Sequence, residues 1–161
     1  RLKIIFGYIM SMASKSNITI SPKIWGPPLW DILHYITFVY EPKNSVHVNR
    51  LFTYHLPNLM PCRTCRENYK KHIVKYPIKL DSSESLSKWL VKVHNETNKR
   101  LSKKQVKYID VRRKYLARGS KERVNRNFFK WAQIVREYVV HGSPRIQRSY
   151  SILMNYIVTK V

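Results

Sequence analysis

Glycine is nearly missing from this chain. Of its 161 residues, only Gly7, Gly26, Gly119 and Gly142 lack a side chain. Turn-rich β sandwiches and barrels draw on glycine for left-handed backbone, so this scarcity favours an all-α fold. Leu, Ile, Lys, Arg and Tyr are abundant and fall in helix-length blocks. An apolar share of 43% excludes a chain disordered by composition. The length suits one domain with a real core.

Prolines and caps divide the chain. Ser21 and Pro22 open the ordered part, and Trp25-Gly26-Pro27-Pro28 reads as the first turn of a helix reaching about Tyr40. Leu29, Leu33, Ile36 and Tyr40 form its apolar stripe, with Trp30, His34 and Thr37 adjoining. A second helix is expected over 46–56, with Val48, Leu51, Phe52 and His55 inward. A third starts near Cys62, after Pro61, and ends before Pro77. Asp81-Ser-Ser-Glu84 reads as a capping box that opens a fourth helix through about Leu101. Its stripe is Leu86, Leu90, Val93, His94, Thr97 and Leu101. A fifth, very basic helix is expected over 103–118, with Gly119 capping its end. Two more follow: one with Phe128, Trp131, Ile134, Val135, Tyr138 and Val139 on its face, stopped by Gly142, and one opened by Ser143-Pro144. Residues 1–20 read as a tail whose basic start and short apolar run resemble a weak signal sequence ending near Ala13. The run is too short to span a bilayer. There is no internal repeat.

Thirty-one Lys and Arg against nine Asp and Glu give a net charge of +22. Such a charge points to an anionic partner: nucleic acid, a membrane surface or a phosphorylated ligand. The stretch from Lys99 to Arg126 is the most basic, with Asp110 and Glu122 as its only acids. It also fits a solvated face. No zinc-finger spacing is visible, so sequence-specific DNA binding is not favoured.

The only cysteines, Cys62 and Cys65, stand in Met60-Pro61-Cys62-Arg63-Thr64-Cys65. A disulfide-built scaffold needs more. In the first turn of a helix, both sulfurs lie on one side, where backbone N–H groups, Arg63 and Arg66 favour a thiolate. That suits a dithiol cycling to a disulfide by exchange. Zinc needs two further ligands, and His34, His47, His55, His72, His94 and His141 are too widely spaced for a His-x3–5-His pair. A thioredoxin-like site needs a βαβ frame, and no convincing strand is present. Two incidental buried cysteines remain an alternative on the motif alone.

Three blocks surround the pair in order: Trp25-Gly-Pro-x-x-Trp30 with Leu33-His34, then Pro61-Cys-x-x-Cys65, then Trp89-x4-His94-Asn95-x-x-Asn98-x-x-Leu101 with Lys103-Lys104. Together they resemble the Erv/Alr family of FAD-linked sulfhydryl oxidases, over roughly residues 22–118. The resemblance implies a four-helix bundle with a short fifth helix cradling FAD. It implies a domain over 21–118 and a C-terminal helical extension over 119–161, packed on it or continuous with it. Cys65 would be the thiolate against the flavin, and Cys62 the interchange thiol that meets the substrate. Trp25, Trp30 and His34 would contact flavin or adenosine. His94, Asn95 and Asn98 would hold the adenine and ribose side, and Lys99, Lys103 and Lys104 the pyrophosphate. Tyr108 and Tyr115 would close the adenine pocket. Each has a plainer role open to it: core aromatics for Trp25 and Trp30, a satisfied core histidine for His34, solvent-facing amides and lysines for the rest.

The resemblance implies electron flow from a protein dithiol to FAD and then to O2, producing hydrogen peroxide. With no further cysteine for a shuttle pair or a structural disulfide, the chain resembles the minimal type of large DNA viruses. It would take electrons from a separate dithiol protein or a thioredoxin-like carrier. A homodimer through helices 1 and 2 is the default. Host cytoplasm, a viral assembly site or the virion is the implied location. Two alternatives differ in class: a basic helical protein that binds nucleic acid with inert cysteines, and a dithiol isomerase or reductase without FAD.

Overall fold

The computed structural model describes residues 18–160, and every regular element among them is helical. The signal-like segment ending near Ala13 lies outside these residues. No helix among them is long and apolar enough to cross a membrane.

The central element is α1 (Pro22–Phe38), whose Ile32, Leu33 and Ile36 are shielded from solvent. It begins one turn earlier than Trp25-Gly26-Pro27-Pro28 suggests. Pro22 occupies the first turn, where a missing N–H costs nothing, and Pro27 and Pro28 fall inside the helix. There they deny the carbonyls of Lys23 and Ile24 their usual donors four residues on.

A 3-10 turn (Pro42–Asn44) leads into α2, built of three pieces: α-helical Ser45–Arg50, π-helical Leu51–His55 and α-helical Leu56–Asn58. The Leu56 N–H donates to the Leu51 carbonyl, the five-residue reach of a π turn. Pro57 supplies the cause. Its ring crowds the carbonyl four residues back and offers it no N–H, and a wider turn relieves both. Val48, Leu51, Phe52 and His55 all point inward.

Helices α3 (Arg63–Lys75) and α4 (Ser83–Arg100) follow. The cap of α4 is Ser82, not Asp81. Ser82 sits in extended backbone and its Oγ accepts the Ser85 N–H at 3.0 Å, while Glu84 pairs with Lys88 at 2.6 Å. The basic helix is shorter than its composition suggests: α5 covers only Tyr108–Leu116. Two local features hold residues 101–107 out of helix. Ser102 adopts left-handed backbone (φ 52°), and Asn95 takes both backbone groups of Val106, donating from Nδ2 at 2.9 Å and accepting at Oδ1 at 2.9 Å. Gly119, at φ 79°, opens α6 (Ser120–Val140) instead of closing α5. The last helix is α7 (Pro144–Lys160).

Helix α1 packs against α4 and along α6, and α5 touches all three. Helix α7 packs on the π-helical part of α2 and on α6. Trp131 of α6 and Leu153 of α7 are fully buried. Ser149 Oγ lies 3.1 Å from His55 Nδ1 and accepts from Asn58 Nδ2 at 3.0 Å, which fixes α7 on α2.

One carboxylate joins three helices. Asp31 of α1 is 4% exposed. Its Oδ1 accepts from Tyr115 Oη at 2.6 Å and meets Lys114 Nζ at 2.7 Å, both on α5. Its Oδ2 accepts from Asn127 Nδ2 at 2.7 Å and faces Arg123 Nε at 3.6 Å, both on α6. Burial alone pushes the Asp31 carboxyl upward. The bonds from Lys114, Tyr115 and Asn127 outweigh burial and hold it below the ordinary carboxylate value. A folded-state pKa that is depressed adds stability above the unfolded value and loses it as pH falls through the folded one. Asp31→Asn is therefore expected to destabilise the fold at pH 7 by about 2 kcal/mol, the scale of a hydrogen bond to a charged group. Urea unfolding should show the gap to wild type narrowing below about pH 4.

Candidate redox centre and cofactor cavity

The cysteine pair sits where the loop after α2 becomes α3. Cys62 is the N-cap residue, in extended backbone, and its Sγ accepts the Cys65 N–H at 3.2 Å. A disulfide joins Cys62 to Cys65. When that bond opens, the N–H and the helix N-terminus favour a thiolate at Cys62. The loop is held from several sides. Arg66 Nη1 donates to the Met60 carbonyl at 2.8 Å, and the Ile20 N–H donates to the Pro61 carbonyl at 2.9 Å. Trp25 Nε1 donates to the Ile20 carbonyl at 2.9 Å, which ties the start of α1 to the pair.

The two cysteines open to different spaces. Cys65 lines a cavity of 680 Å³ between α1, α3, α4 and α5, within the size range of cofactor sites. Cys62 lines a separate hollow of 690 Å³.

Of the candidate cofactor residues, Trp25, Trp30, His34, His94, Asn98, Lys103, Lys104 and Tyr115 line the cavity with Cys65. Its aromatic wall is ordered by stacking: Trp30 lies on His94 at 3.9 Å between ring centroids, tilted 4°, and His34 stacks on Tyr115 at 5.6 Å. His34 Nε2 and His94 Nδ1 are 2.9 Å apart, so one ring donates and the other accepts. Burial, the second imidazole and Lys114 push His34 down to about 3. Burial, Lys103 and Lys114 push His94 down to about 4. Both rings are neutral at pH 7. His34 Nδ1 is buried without a hydrogen-bond partner, a polar atom left for something seated in the cavity.

Asn95, Lys99 and Tyr108 do not line this cavity. They surround a neighbouring hollow of 400 Å³. Asn95 grips Val106, Lys99 pairs with Glu96 at 3.0 Å, and Tyr108 Oη lies 3.2 Å from Ser87 Oγ.

The structure adds residues that the motifs do not name. Arg100, Lys107 and Lys114 line the cavity, so with Lys103 and Lys104 five cations face it, against Asp31 and Asp110. Asp31 has a readable signal, since it is a lone carboxylate within the apolar run Leu29–Val39. The three added cations have none, because they lie within an evenly basic stretch. Among the described residues, no group of three or more His, Cys, Asp or Glu side chains is set to hold a metal.

An aromatic cavity, rimmed by cations and walled at one point by a CxxC disulfide, fits a planar redox cofactor carrying phosphates. Fold and site together define a helical protein that couples a dithiol to such a cofactor. The chain belongs to the Erv1/Alr family, whose sequence model matches residues 27–116. A probable FAD-linked sulfhydryl oxidase of Acanthamoeba polyphaga mimivirus is 36% identical over 95 residues, covering 55% of this chain and 66% of that protein. The FAD-linked sulfhydryl oxidase of an African swine fever virus isolate is 31% identical over 94 residues, covering 56% of this chain and 79% of its own. The FAD-linked sulfhydryl oxidase of Arabidopsis thaliana is 30% identical over 98 residues, covering 58% of this chain and 51% of its own. No solved structure matches the chain.

The neutral histidine pair gives an expected pH dependence. Both folded-state values are lowered, so the unfolded chain binds the extra protons and stability falls as pH drops from about 6.5 to about 4. In thermal unfolding across that range, His34→Gln/His94→Gln should show a shallower decline. The reduction should reach at most about 1.4 kcal/mol per pH unit for each histidine removed. An unchanged slope would mean that the imidazoles are charged in the folded state.

Proposed function

We propose that this chain is an FAD-linked sulfhydryl oxidase that forms disulfide bonds in a dithiol substrate. The observation that carries the reading is the split between the two sulfurs, with Cys65 in the wall of the aromatic, cation-rimmed cavity and Cys62 in a separate hollow. FAD is the group that supplies the two-electron chemistry, accepting a pair from thiols and yielding it to O2 as hydrogen peroxide.

The protein steps follow from the disulfide. A substrate thiolate attacks Cys62 Sγ, a mixed disulfide forms, and Cys65 leaves as a thiolate into the cavity. The second substrate thiol, losing its proton, displaces Cys62, and the substrate departs oxidised by two electrons while the pair is reduced by the same two. The Cys65 N–H, 3.2 Å from Cys62 Sγ, stabilises Cys62 as the leaving thiolate. The electron pair then leaves through Cys65.

In this reading Trp25, Trp30 and His34 flank the flavin or adenosine, and His94, Asn98 and Tyr115 hold the adenine side. Lys103, Lys104, Arg100 and Lys107 take the pyrophosphate, with Lys114 held by Asp31 beside them, which gives part of the basic run a purpose without nucleic acid. Asn95 acts by shaping the 101–107 loop that carries the lysines, and Tyr108 by anchoring the start of α5. Lys99 lies further out, beside Glu96. The substrate is a separate dithiol protein or a thioredoxin-like carrier. The viral relatives support a place of action in host cytoplasm, at an assembly site or in the virion. A homodimer through α1 and α2 would use what α6 and α7 leave free there, where Ile24, Val46 and Tyr54 remain exposed.

The purified protein is expected to show a flavin absorption spectrum that bleaches with dithiothreitol under anaerobic conditions and recovers in air. Cys65→Ser should keep the flavin and lose at least a hundredfold in dithiol-driven O2 uptake. Cys62→Ser should also lose turnover, with Cys65 still free to perturb the flavin band. A colourless folded protein from flavin-replete cells, or normal turnover in Cys65→Ser, would overturn the reading.

A further inference from the structure

The hollow above Cys62 takes its charged groups from two parts of the chain, while Ile18, Thr19 and Asn58 complete its lining. One is the CxxC loop, contributing Arg63 and Arg66. The other is the α6–α7 turn with the helix ends that flank it, Tyr138 from α6 and Arg145 and Ile146 from α7. That turn lies beyond residue 116, where the family match ends. The two parts are bonded to each other: Tyr138 Oη donates to the Asn58 carbonyl at 2.7 Å, and Arg66 Nη1 reaches Tyr138 Oη at 3.3 Å. Cys62, at 8% exposure, faces this hollow. Among the described residues its lining holds three guanidinium groups and no carboxylate. Glu67 draws Arg63 to one side at 2.9 Å from outside the lining, while Arg145 is exposed.

We propose that the C-terminal extension turns this hollow into a docking groove for a protein dithiol flanked by acidic side chains. The inference rests on the oxidase reading above and adds the class of client. An acidic flank would steer the client thiol to Cys62 and orient it there. In the exchange the client thiolate bonds to Cys62 Sγ as Cys65 leaves, and the second client thiol, losing its proton, displaces Cys62 and closes the client disulfide. Ile146 is half-buried and Tyr138 is buried, so the groove would recognise the client by charge at Arg145 and not by an apolar platform.

The test compares three reductants with the full, flavin-loaded chain: dithiothreitol, a dithiol peptide with two Asp on either side of its cysteines, and the same peptide with Lys in place of Asp. Wild type is expected to favour the Asp peptide over the Lys peptide by about tenfold or more in kcat/KM, with the gap shrinking as salt rises. Arg145→Glu should reduce that preference at least threefold and change dithiothreitol turnover by a smaller factor than it changes the preference. Lys121→Glu changes net charge equally at a site outside the hollow and should shift the preference much less. Equal use of the two peptides by wild type, or equal shifts in the two variants, would overturn the groove while leaving the oxidase intact. Failure of wild type on dithiothreitol would instead overturn the oxidase reading, and this inference with it.

Discussion

A carboxylate moved out of water destabilises a fold unless its neighbours replace the lost solvation. Asp31 meets that demand with four groups from α5 and α6, and much of the molecule is arranged around the solution. Its neighbour Trp30 stacks on His94, and its partner Tyr115 stacks on His34. Asp31 thus links α1 to α5, the helices that carry Trp30, His34 and Tyr115 of the aromatic wall. Helix α6 lies outside the family match, yet it supplies Asn127 and Arg123 to this junction. The extension braces Asp31 of the cavity wall without lining the cavity itself.

Much of this was legible in the residues. The apolar stripes located the helices, because a helix that buries one face repeats that face every three or four residues. What the sequence hid were choices made by single polar groups. Whether Asp81 or Ser82 caps α4 turns on which side chain meets a backbone N–H. Whether 103–107 continues as helix turns on Asn95 holding Val106 from eleven residues away. The π turn at Leu51–His55 is visible only in hindsight, through Pro57. At the site, the chemistry-bearing types stood out as a pattern: the cysteine pair, the tryptophans and the histidines. Asn95, Lys99 and Tyr108 belong to the same pattern but lie one wall away. Distance along a helix does not tell which of two adjoining hollows a side chain enters.

The charge of +22 also divides once positions are known. Arg100, Lys103, Lys104, Lys107 and Lys114 face one cavity, while Arg63, Arg66 and Arg145 surround the other hollow. Both sets sit beside a cysteine of the same pair. Arg63 and Arg66, in the first turn of the helix that Cys62 caps, favour the thiolate over the thiol. A chain this basic has a general pull on anions, and two groups of its cations line the two hollows that meet at the cysteine pair.

The disulfide between Cys62 and Cys65 has one sulfur in each of two rooms. Only electrons need to pass between them; no atom of the substrate has to follow. The size of the cavity therefore sets no limit on the size of what is oxidised. A folded protein far larger than this chain is as admissible as a short peptide, provided one of its thiols can touch a single atom in the wall. The same wall keeps a bulky visitor from entering the aromatic chamber, so that chamber can be shaped wholly around its resident cofactor.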